Sequence, residues 1–578
     1  MHALNKGLSW RAAPLIPPLI LAACLGLWAV DTLNWDEWLI WTDMLRKLHA
    51  GSLGLADIIL QNNEQRSAIV RVLGLAFFPW FRLARWPELF AIVLMAGGGV
   101  LLAWRLMRLS GWRADDRRPL ALFSLLGFSL IQWETFSVGI NTSVILPSLT
   151  LWAGVCLAWS GTRLGPGRLL GLALVGLPAS FSFANGLFYW PCLAPLIALR
   201  METRRRGVLV TGLWLALGAL VWLGYFAGYV KPGQHPSILL ALRAPHMLLG
   251  YFATYLGGAL AGDRHLQPLA MLAGGFALAA LAALALSAWR AGGAERRALA
   301  PWLCMAAFTL LTAAATAAAR GGFGLGQAQE SRYATFSSPL WMTLCALAFL
   351  GWEHLSERAR RWLFRGFALC GALFALSSVL AAVVLHNRAP RLELARQELY
   401  RLTQPENLRE IFPDPAFVIA STPLFVAMRA GAQRILPQPE ALVQGEPTQG
   451  SAFVEPHAEL DGRVPGFLLR GSAPGHAGAW LVVRAATRTA ALGKIEADGT
   501  FALFLPENAL PAGRQTLASA VLAQDGRTLH AIGPAKGLGV DNPGRTVARF
   551  DLASHFYVPG LTDKTGSAAV LQGDTDTR

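Results

Sequence analysis

Apolar runs of about 20 residues, the length that a helix needs to cross the hydrocarbon core of a bilayer, recur through the first two thirds of the chain. With 54% hydrophobic and 15% charged residues, the composition excludes an ordinary soluble enzyme. The short stretches between the runs are rich in arginine, as in cytoplasmic loops of membrane proteins; the richest are 105–118, 200–206, 290–297 and 358–365. The sequence therefore predicts a polytopic α-helical membrane protein.

The expected topology has about eleven crossings. They are 12–30, 86–104, 119–137, 140–158, 168–183, 184–200, 207–229, 266–287, 299–318, 336–352 and 366–386. This set keeps the N-terminus and the arginine-rich stretches in the cytoplasm and leaves the chain after His386 on the other side. Counting 68–83 or 247–261 as a crossing would reverse that order downstream, so we interpret both as helices in the outer interface. If both segments crossed the membrane, the two termini would stay on their predicted sides, but the loops between the two segments would change sides.

The formal charge of +15 does not indicate a nucleic-acid-binding protein, because the arginines lie in loops between apolar runs. All six cysteines fall within apolar runs, which predicts no disulfide framework; they are Cys24, Cys156, Cys192, Cys304, Cys345 and Cys370. We expect no nucleic-acid partner and a location in the bacterial inner membrane, with the C-terminal part in the periplasm.

Changes in composition divide the chain further. After the last apolar run, 391–402 predicts a short amphipathic helix, and from about 452 short alternating runs predict a small β-sandwich. The predicted parts are a transmembrane domain (1–390), whose first periplasmic loop (31–85) holds two interfacial helices, a helical or linker region (391–445), a periplasmic β-sandwich (446–558) and a disordered tail (559–578).

Polar residues collect at the outer ends of the predicted spans. Ionisable groups at membrane depth are costly unless they face water or a partner, so they are candidates for function. The candidates in the first loop are Asp31, Asp36, Glu37, Glu64 and Arg66, and those further on are Gln132, Glu134, Asn185, Arg320, Arg332 and Tyr333. A solvated helix cap or a structural salt bridge, such as Arg332 with Glu330, would explain some of them equally well.

The chain has an acidic pair (Asp36-Glu37) soon after its first helix and a long outer loop with two interfacial helices. Many further spans and a soluble outer domain follow. In this arrangement residues 1–390 resemble the GT-C class of membrane glycosyltransferases. The resemblance implies a GT-C-like fold and a sugar donor carried on a polyprenyl phosphate. It also implies that the early acidic residue is the catalytic base or a metal ligand, and that arginines of outer loops hold the donor phosphate.

These implications give each candidate a role. Asp36 is expected to take the proton from the acceptor hydroxyl. Glu37, the second catalytic candidate, and Glu64 are expected to orient the acceptor or a metal. Arg332, with Arg66 and Arg320, is expected to hold the lipid phosphate. The sequence names no certain cofactor, although Asp31, Asp36 and Glu64 offer oxygen ligands for a divalent metal. The expected activity is hexosyl or pentosyl transfer, and the expected partners are the polyprenyl-phosphate sugar lipid, the bilayer and envelope-glycan assembly proteins.

Other functions fit parts of the same pattern. A glycan polymerase or ligase would also use lipid-linked sugars, but the late outer loop at 320–335 is short and lacks histidine. A transporter or flippase predicts an inverted repeat and ionisable residues near the midplane, and we find neither. A non-catalytic envelope scaffold would bind through the β-domain, whose aromatic residues Trp480, Phe501 and Phe504 occupy predicted core positions.

Overall fold

The structure is a computed structural model that describes residues 12–161, 164–232, 243–435, 441–460, 463–486, 488–533 and 537–545. The predicted disordered tail and the end of the predicted sandwich lie outside these residues. Contacts divide the chain into two compact units. Unit 1 comprises Met1–Ala29, Glu64–Val70 and Glu88–Asn387, and unit 2 comprises Val30–Asn63, Arg71–Pro87 and Arg388–Arg578.

The described part of the chain is mainly helical. The α-helices are α1 (Ile16–Trp28), α2 (Asp36–His49), α3 (Leu55–Ile58), α4 (Ala68–Phe81), α5 (Arg85–Leu109), α6 (Arg118–Gly127), α7 (Trp133–Ser137), α8 (Thr142–Trp159), α9 (Pro166–Ser180), α10 (Tyr189–Leu199), α11 (Arg204–Phe226), α12 (Pro245–Gly257), α13 (Gln267–Ala291), α14 (Gly293–Arg320), α15 (Ser331–Gly351), α16 (Glu357–Glu398), α17 (Pro405–Leu408) and α18 (Pro415–Met428). Within the described residues, nine helical segments are long and apolar enough to cross a membrane. This agrees with the predicted membrane character.

Helix α15 forms the centre of unit 1. It contacts α6, α8, α12, α13 and α14, and most of its side chains are buried. By contrast, α11 buries only Gly207, Trp214, Gly218 and Tyr225, which lie on one face of the helix. Its other faces carry exposed leucines such as Leu213 and Leu220. An apolar outer surface around a packed helical core is what a lipid-facing protein presents.

Glycines allow α12 and α13 to pack closely. A Cβ atom on Gly257 would lie 1.8 Å from the carbonyl oxygen of Ala270, and one on Gly274 would lie 1.9 Å from that of Ala253. Both distances are too short for a side-chain atom, so the two backbones approach as closely as glycine permits. Small residues at a helix interface have this role in membrane proteins, because close packing replaces the missing hydrophobic driving force.

Unit 2 contains two β-sheets. The strands are β1 (Val443–Gln444), β2 (Ser451–Leu460), β3 (Val464–Ser472), β4 (Trp480–Ala485), β5 (Arg488–Lys494), β6 (Thr500–Pro506), β7 (Gly513–Leu522), β8 (Thr528–Ile532) and β9 (Leu538–Asn542). One sheet has the order β1-β8-β7-β4-β5 with β9 on β7, and the other has the order β2-β3-β6. All pairs are antiparallel except β1 with β8.

The two sheets share one hydrophobic core. Phe467 and Leu503 from one sheet and Leu481 and Val521 from the other belong to the same buried cluster. Phe501 and Phe504 are also buried, as expected, whereas Trp480 is half-buried and packs against Tyr400 with ring centroids 4.8 Å apart. The shared core supports the sandwich architecture that the alternating runs predicted.

Two helices of the region after residue 357 differ from expectation. The predicted separate amphipathic helix at 391–402 is wrong, because α16 continues for 42 residues through Pro390 to Glu398. Helix α18, which is apolar and mostly buried, was not predicted from the sequence. Asp414 caps α18 by accepting the backbone N–H of Ala416 at 3.1 Å. Helix α18 packs against α2, β3, β5 and β6 within unit 2.

Candidate functional site

Three arginine–glutamate pairs and one buried tyrosine lie together in unit 1. We call them the arginine–glutamate cluster; its members are Glu64, Glu134, Arg264, Arg320, Glu330, Arg332 and Tyr333. Glu64 and Arg320, which form one of the pairs, lie 256 residues apart in the sequence. Five of the seven were predicted as site residues, and the structure brings those five together.

The pair of Arg320 and Glu64 joins the end of α14 to the loop before α4. The guanidinium of Arg320 forms a short ion pair with the Glu64 carboxylate, and both side chains are largely buried. After Arg320, the chain turns through the 3₁₀ segment Gly321–Phe323 and reaches Gly324 at φ +93°, a conformation that favours glycine. This glycine-rich turn lets the chain reverse from α14 into α15.

The pair of Arg332 and Glu134 joins the start of α15 to the start of α7. Arg332 Nη1 lies 2.5 Å from Glu134 Oε1, and about a third of the Arg332 side chain is exposed. The Ser331 hydroxyl donates to the carbonyl of Ile131 at 2.7 Å and accepts the backbone N–H of Glu134 at 3.0 Å. These bonds fix the position of Glu134 relative to α15.

Tyr333 lies at the centre of the cluster. It is 3% exposed, and its hydroxyl is within electrostatic reach of Arg320, Arg332 and Glu64. Its ring packs on that of Tyr255 at 5.2 Å, and the Arg332 guanidinium lies 5.6 Å from the Tyr333 ring centroid. An aromatic face restricts the motion of a guanidinium and keeps its N–H groups available in a fixed plane.

The third pair extends the cluster toward solvent. Arg264 Nη2 lies 2.7 Å from Glu330 Oε1, and the Arg264 side chain is 70% exposed. Glu330 is also within electrostatic reach of Arg332. Arg264 was not among the predicted site residues, although a cation directly after Asp263, on the side predicted to be poor in arginine, was a usable indication. The cluster thus offers guanidinium groups from buried to exposed positions.

Arg66 has a different role from the one predicted. Its Nε donates to the carbonyl of Tyr225 at 2.6 Å and its Nη2 to that of Ala227 at 2.5 Å. These carbonyls belong to the C-terminal end of α11, where a cation is favourable because helix carbonyls there lack partners. Arg66 therefore caps a helix, and the expectation that it holds a lipid phosphate is not supported by these contacts.

Gln132 and Asn185 are both buried and lie in segments between helices. Gln132 donates from Nε2 to the carbonyl of Leu126 at 2.8 Å, which satisfies a carbonyl at the end of α6. Asn185 is 6% exposed, and neither atom of its amide has a hydrogen-bond partner within the described residues. Gln132 is therefore structural, whereas Asn185 keeps a buried amide whose bonding capacity is unused.

Three acidic candidates of the first loop, Asp31, Asp36 and Glu37, belong to unit 2. Glu37 and Arg85 form an ion pair of 2.7 Å with side chains only 1% exposed, and Glu37 also accepts the backbone N–H of Asn34 at 2.8 Å. Asp31 accepts the backbone N–H of Arg85 at 3.0 Å and pairs with Arg434. In this structure Glu37 is therefore sealed from solvent and Asp31 is an ion-pair partner of Arg434, and their roles at a site stay predictions.

Asp36 opens helix α2 at a strained position of the backbone. Trp35 before it has φ +50° and ψ −124°, and its backbone N–H donates to the carbonyl of Ile411 at 2.6 Å. Non-glycine residues held at positive φ cost free energy and often occur at functional sites. The Asp36 carboxylate is half-buried and accepts from the amide of Asn62 at 3.4 Å. Asp36 remains a candidate on sequence grounds.

The described residues contain no group of three His, Cys, Asp or Glu side chains that could hold a metal ion. Of the three predicted oxygen donors, Asp31 is paired with Arg434 and Glu64 with Arg320. Oxygen atoms already bound to guanidinium groups do not form a metal-ligand set. Comparison with protein-family models, curated proteins and solved structures finds no match to this chain.

Proposed function

We propose that this protein is a membrane glycosyltransferase that moves a sugar from a polyprenyl-phosphate carrier to a glycan, lipid or protein acceptor at the periplasmic face. The observation that carries the proposal is the pairing of Arg320 and Arg332 with glutamates around the buried Tyr333. Planar guanidinium groups bind phosphate through paired hydrogen bonds. In this proposal Arg320 and Arg332 hold the phosphate of the carrier.

The glutamates of the cluster are the candidates for the catalytic base. Glu64 binds Arg320 and Glu134 binds Arg332, so the arginines are already ordered and neutralised. A bound phosphate takes over the guanidinium hydrogen bonds and releases a carboxylate beside the anomeric carbon. We assign Glu64 as the base, because it lies in the loop before α4, whereas Glu134 lies within α7. The exposed fractions of the two side chains are similar, 22% for Glu64 and 18% for Glu134.

The chemistry of the step balances without a further reactant. The acceptor hydroxyl oxygen forms a bond to the anomeric carbon, and the bond between that carbon and the phosphate oxygen breaks. The departing phosphate keeps the electron pair, and the two arginines stabilise its charge. The hydroxyl proton passes to the Glu64 carboxylate, as expected for transfer with inversion.

Binding of the carrier tests the phosphate assignment first. The full chain in nanodiscs is incubated with undecaprenyl phosphate, and retained lipid is measured by native mass spectrometry. Arg320→Ala and Arg332→Ala are each expected to weaken retention by about tenfold, which corresponds to about 1.4 kcal/mol. The matched control is Arg113→Ala, which removes a guanidinium paired with Asp115 at 2.8 Å but largely exposed. Equal retention by all four proteins would overturn the assignment.

The identity of the base needs a separate experiment. A whole-cell assay of envelope glycans compares Glu64→Gln with Asp36→Asn, the residue that the sequence favours. We expect Glu64→Gln to abolish transfer while the purified variant still retains undecaprenyl phosphate. Loss of transfer in Asp36→Asn alone would move the base to Asp36, and full transfer in both variants would contradict a carboxylate base at either position.

A further inference from the structure

A turn in unit 2 joins α4 to α5 and carries several exposed aromatic residues. We call it the Arg82 turn; its members are Trp80, Phe81, Arg82, Leu83 and Trp86. Trp80 is 74% exposed, Phe81 43% and Trp86 45%. Large apolar side chains exposed so close together in the sequence mark a surface that meets a partner or a membrane, because soluble surfaces rarely hold such groups.

The backbone of the turn is held in an unusual conformation. Arg82 and Leu83 have φ of +48° and +62°, a region that residues other than glycine rarely adopt. The backbone N–H of Arg82 donates to the carbonyl of Phe78 at 3.0 Å, and its carbonyl accepts the N–H of Gly431 at 2.8 Å. Strain of this kind persists where surrounding bonds enforce it, and it often occurs at functional positions.

The guanidinium of Arg82 lies against an aromatic ring. Its central carbon is 5.0 Å from the ring centroid of Phe78, which is itself buried. Among the residues that the structure describes, no carboxylate forms an ion pair with Arg82. A ring face restricts the guanidinium plane and leaves its N–H groups to acceptors outside the ring.

Neighbouring arginines of unit 2 are engaged within the protein. Arg71 is buried and donates to backbone carbonyls, and Arg85 forms the buried ion pair with Glu37. Arg434 pairs with Asp31. The charge of the turn differs from these, because it can be matched by an anion from outside the chain.

The elements on either side of the turn favour a position in the headgroup layer of a bilayer. Helix α5, which starts at Arg85, is long and apolar enough to cross a membrane. Helix α4 has 14 residues. It is therefore about 21 Å long, which is too short to cross the hydrocarbon core. Its exposed residues Val72, Ala76 and Trp80 recur every four positions and share one face, as in helices that lie along a bilayer surface.

The side chains of the turn match the chemistry of a phospholipid headgroup. Tryptophan rings favour the boundary between hydrocarbon and water. A guanidinium binds phosphate oxygens through paired N–H groups, and a cation at this depth is attracted to anionic lipids. A soluble anion would use the cation but would gain nothing from the exposed aromatic residues.

We propose that the Arg82 turn binds the headgroup phosphate of an anionic phospholipid. The Arg82 guanidinium holds the phosphate oxygens, and Trp80, Phe81 and Trp86 contact the glycerol and the upper acyl chains. The inference does not rest on the proposed function, because none of these residues belongs to the arginine–glutamate cluster. It gives unit 2 a membrane contact of its own.

Photolabelling of the turn by phospholipids tests the proposal. Full-length protein is placed in nanodiscs that contain a trace of phosphatidylglycerol or phosphatidylcholine with a photoreactive headgroup. Labelling of the peptide that contains Arg82 is then measured by mass spectrometry. We expect phosphatidylglycerol to label this peptide about fivefold more than phosphatidylcholine, as expected for one cation beside an anionic lipid. Arg82→Gln should remove the preference, and Arg82→Lys should keep part of it, because the charge remains without the planar guanidinium.

A matched control is Arg470→Gln, which removes an arginine of the β region that pairs with Glu455 at 3.0 Å. It is expected to keep the full preference. Labelling by phosphatidylcholine reports whether each variant still presents the turn to the bilayer. Equal labelling by the two lipids in the unmodified protein would overturn the proposal, as would an unchanged preference in Arg82→Gln. Loss of phosphatidylglycerol labelling on addition of excess inorganic phosphate would also overturn it, since the site would then bind a soluble anion.

Discussion

Glu37 and Glu64 are acidic residues of the same predicted loop, yet their surroundings differ. Glu37 is 1% exposed and bound to an equally buried arginine, whereas the Glu64 side chain keeps 22% of its surface exposed beside Arg320. A buried ion pair that loses one partner leaves an uncompensated charge, which typically costs about 3–5 kcal/mol. The sequence identified both residues as candidates, but it could not separate them, because Arg85 lies 48 residues beyond Glu37.

Arg66 is the residue whose predicted role changed most. We expect Arg66→Ala to lower the free energy of unfolding by roughly 1.5–3 kcal/mol, because bonds from a charged donor to the carbonyls of Tyr225 and Ala227 are lost. Arg66→Lys keeps a cation at the helix terminus and should lose less. Thermal unfolding in detergent measures the difference. Weaker retention of undecaprenyl phosphate at unchanged stability would instead restore Arg66 as a phosphate ligand.

Helices show where hydropathy identifies structure and where it does not. The candidate spans of unit 1 coincide with predicted apolar runs, because their length and composition are unusual for soluble proteins. Helix α18 is as apolar as several of these, but it is buried by packing within unit 2. A core helix and a membrane helix share composition, and only their neighbours distinguish them. Pro390 likewise suggested a helix boundary, yet α16 continues through it.

The close approach of α12 and α13 predicts opposite effects at adjacent glycines. Gly274→Ala places a methyl group 1.9 Å from the carbonyl oxygen of Ala253, so we expect a loss of about 1–3 kcal/mol from forced separation of the helices. Gly275→Ala meets nothing within 4 Å and should be neutral or stabilising, because alanine favours a helix. Melting temperatures of both variants in detergent provide the measurement. A similar decrease in both would show that helix packing is not the cause.

At the scale of the whole molecule, the sequence predicted the apolar helices and the C-terminal β region, since both depend on periodicity along the chain. The contacts of the candidate site residues were less predictable. Arg320, Arg332 and Tyr333 follow the pattern of outer-end polarity, but their partners Glu64 and Glu134 are 256 and 198 residues away. Pairing over such separations depends on how helices pack, which local patterns do not encode.

The arginine-rich loops predict that the loop at 105–118 and the β region lie on opposite sides of the membrane. In a cysteine-free variant, Ala114→Cys and Ala477→Cys introduce single thiols at exposed positions of an arginine-rich loop and of the β region. We expect an impermeant maleimide to label the second site in spheroplasts and the first site only after permeabilisation. Labelling of both sites from outside would require an even number of crossings between them.

The equal numbers of arginines and glutamates in the cluster have a consequence for the energised cell. An inside-negative membrane potential acts on an unpaired cation with about 2.3 kcal/mol per 100 mV across the full membrane. Because Arg264, Arg320 and Arg332 are each matched by a glutamate, the forces on opposite charges cancel. The cluster by itself therefore carries no net charge for the resting voltage of the cell to act on, and an arriving anion would supply one.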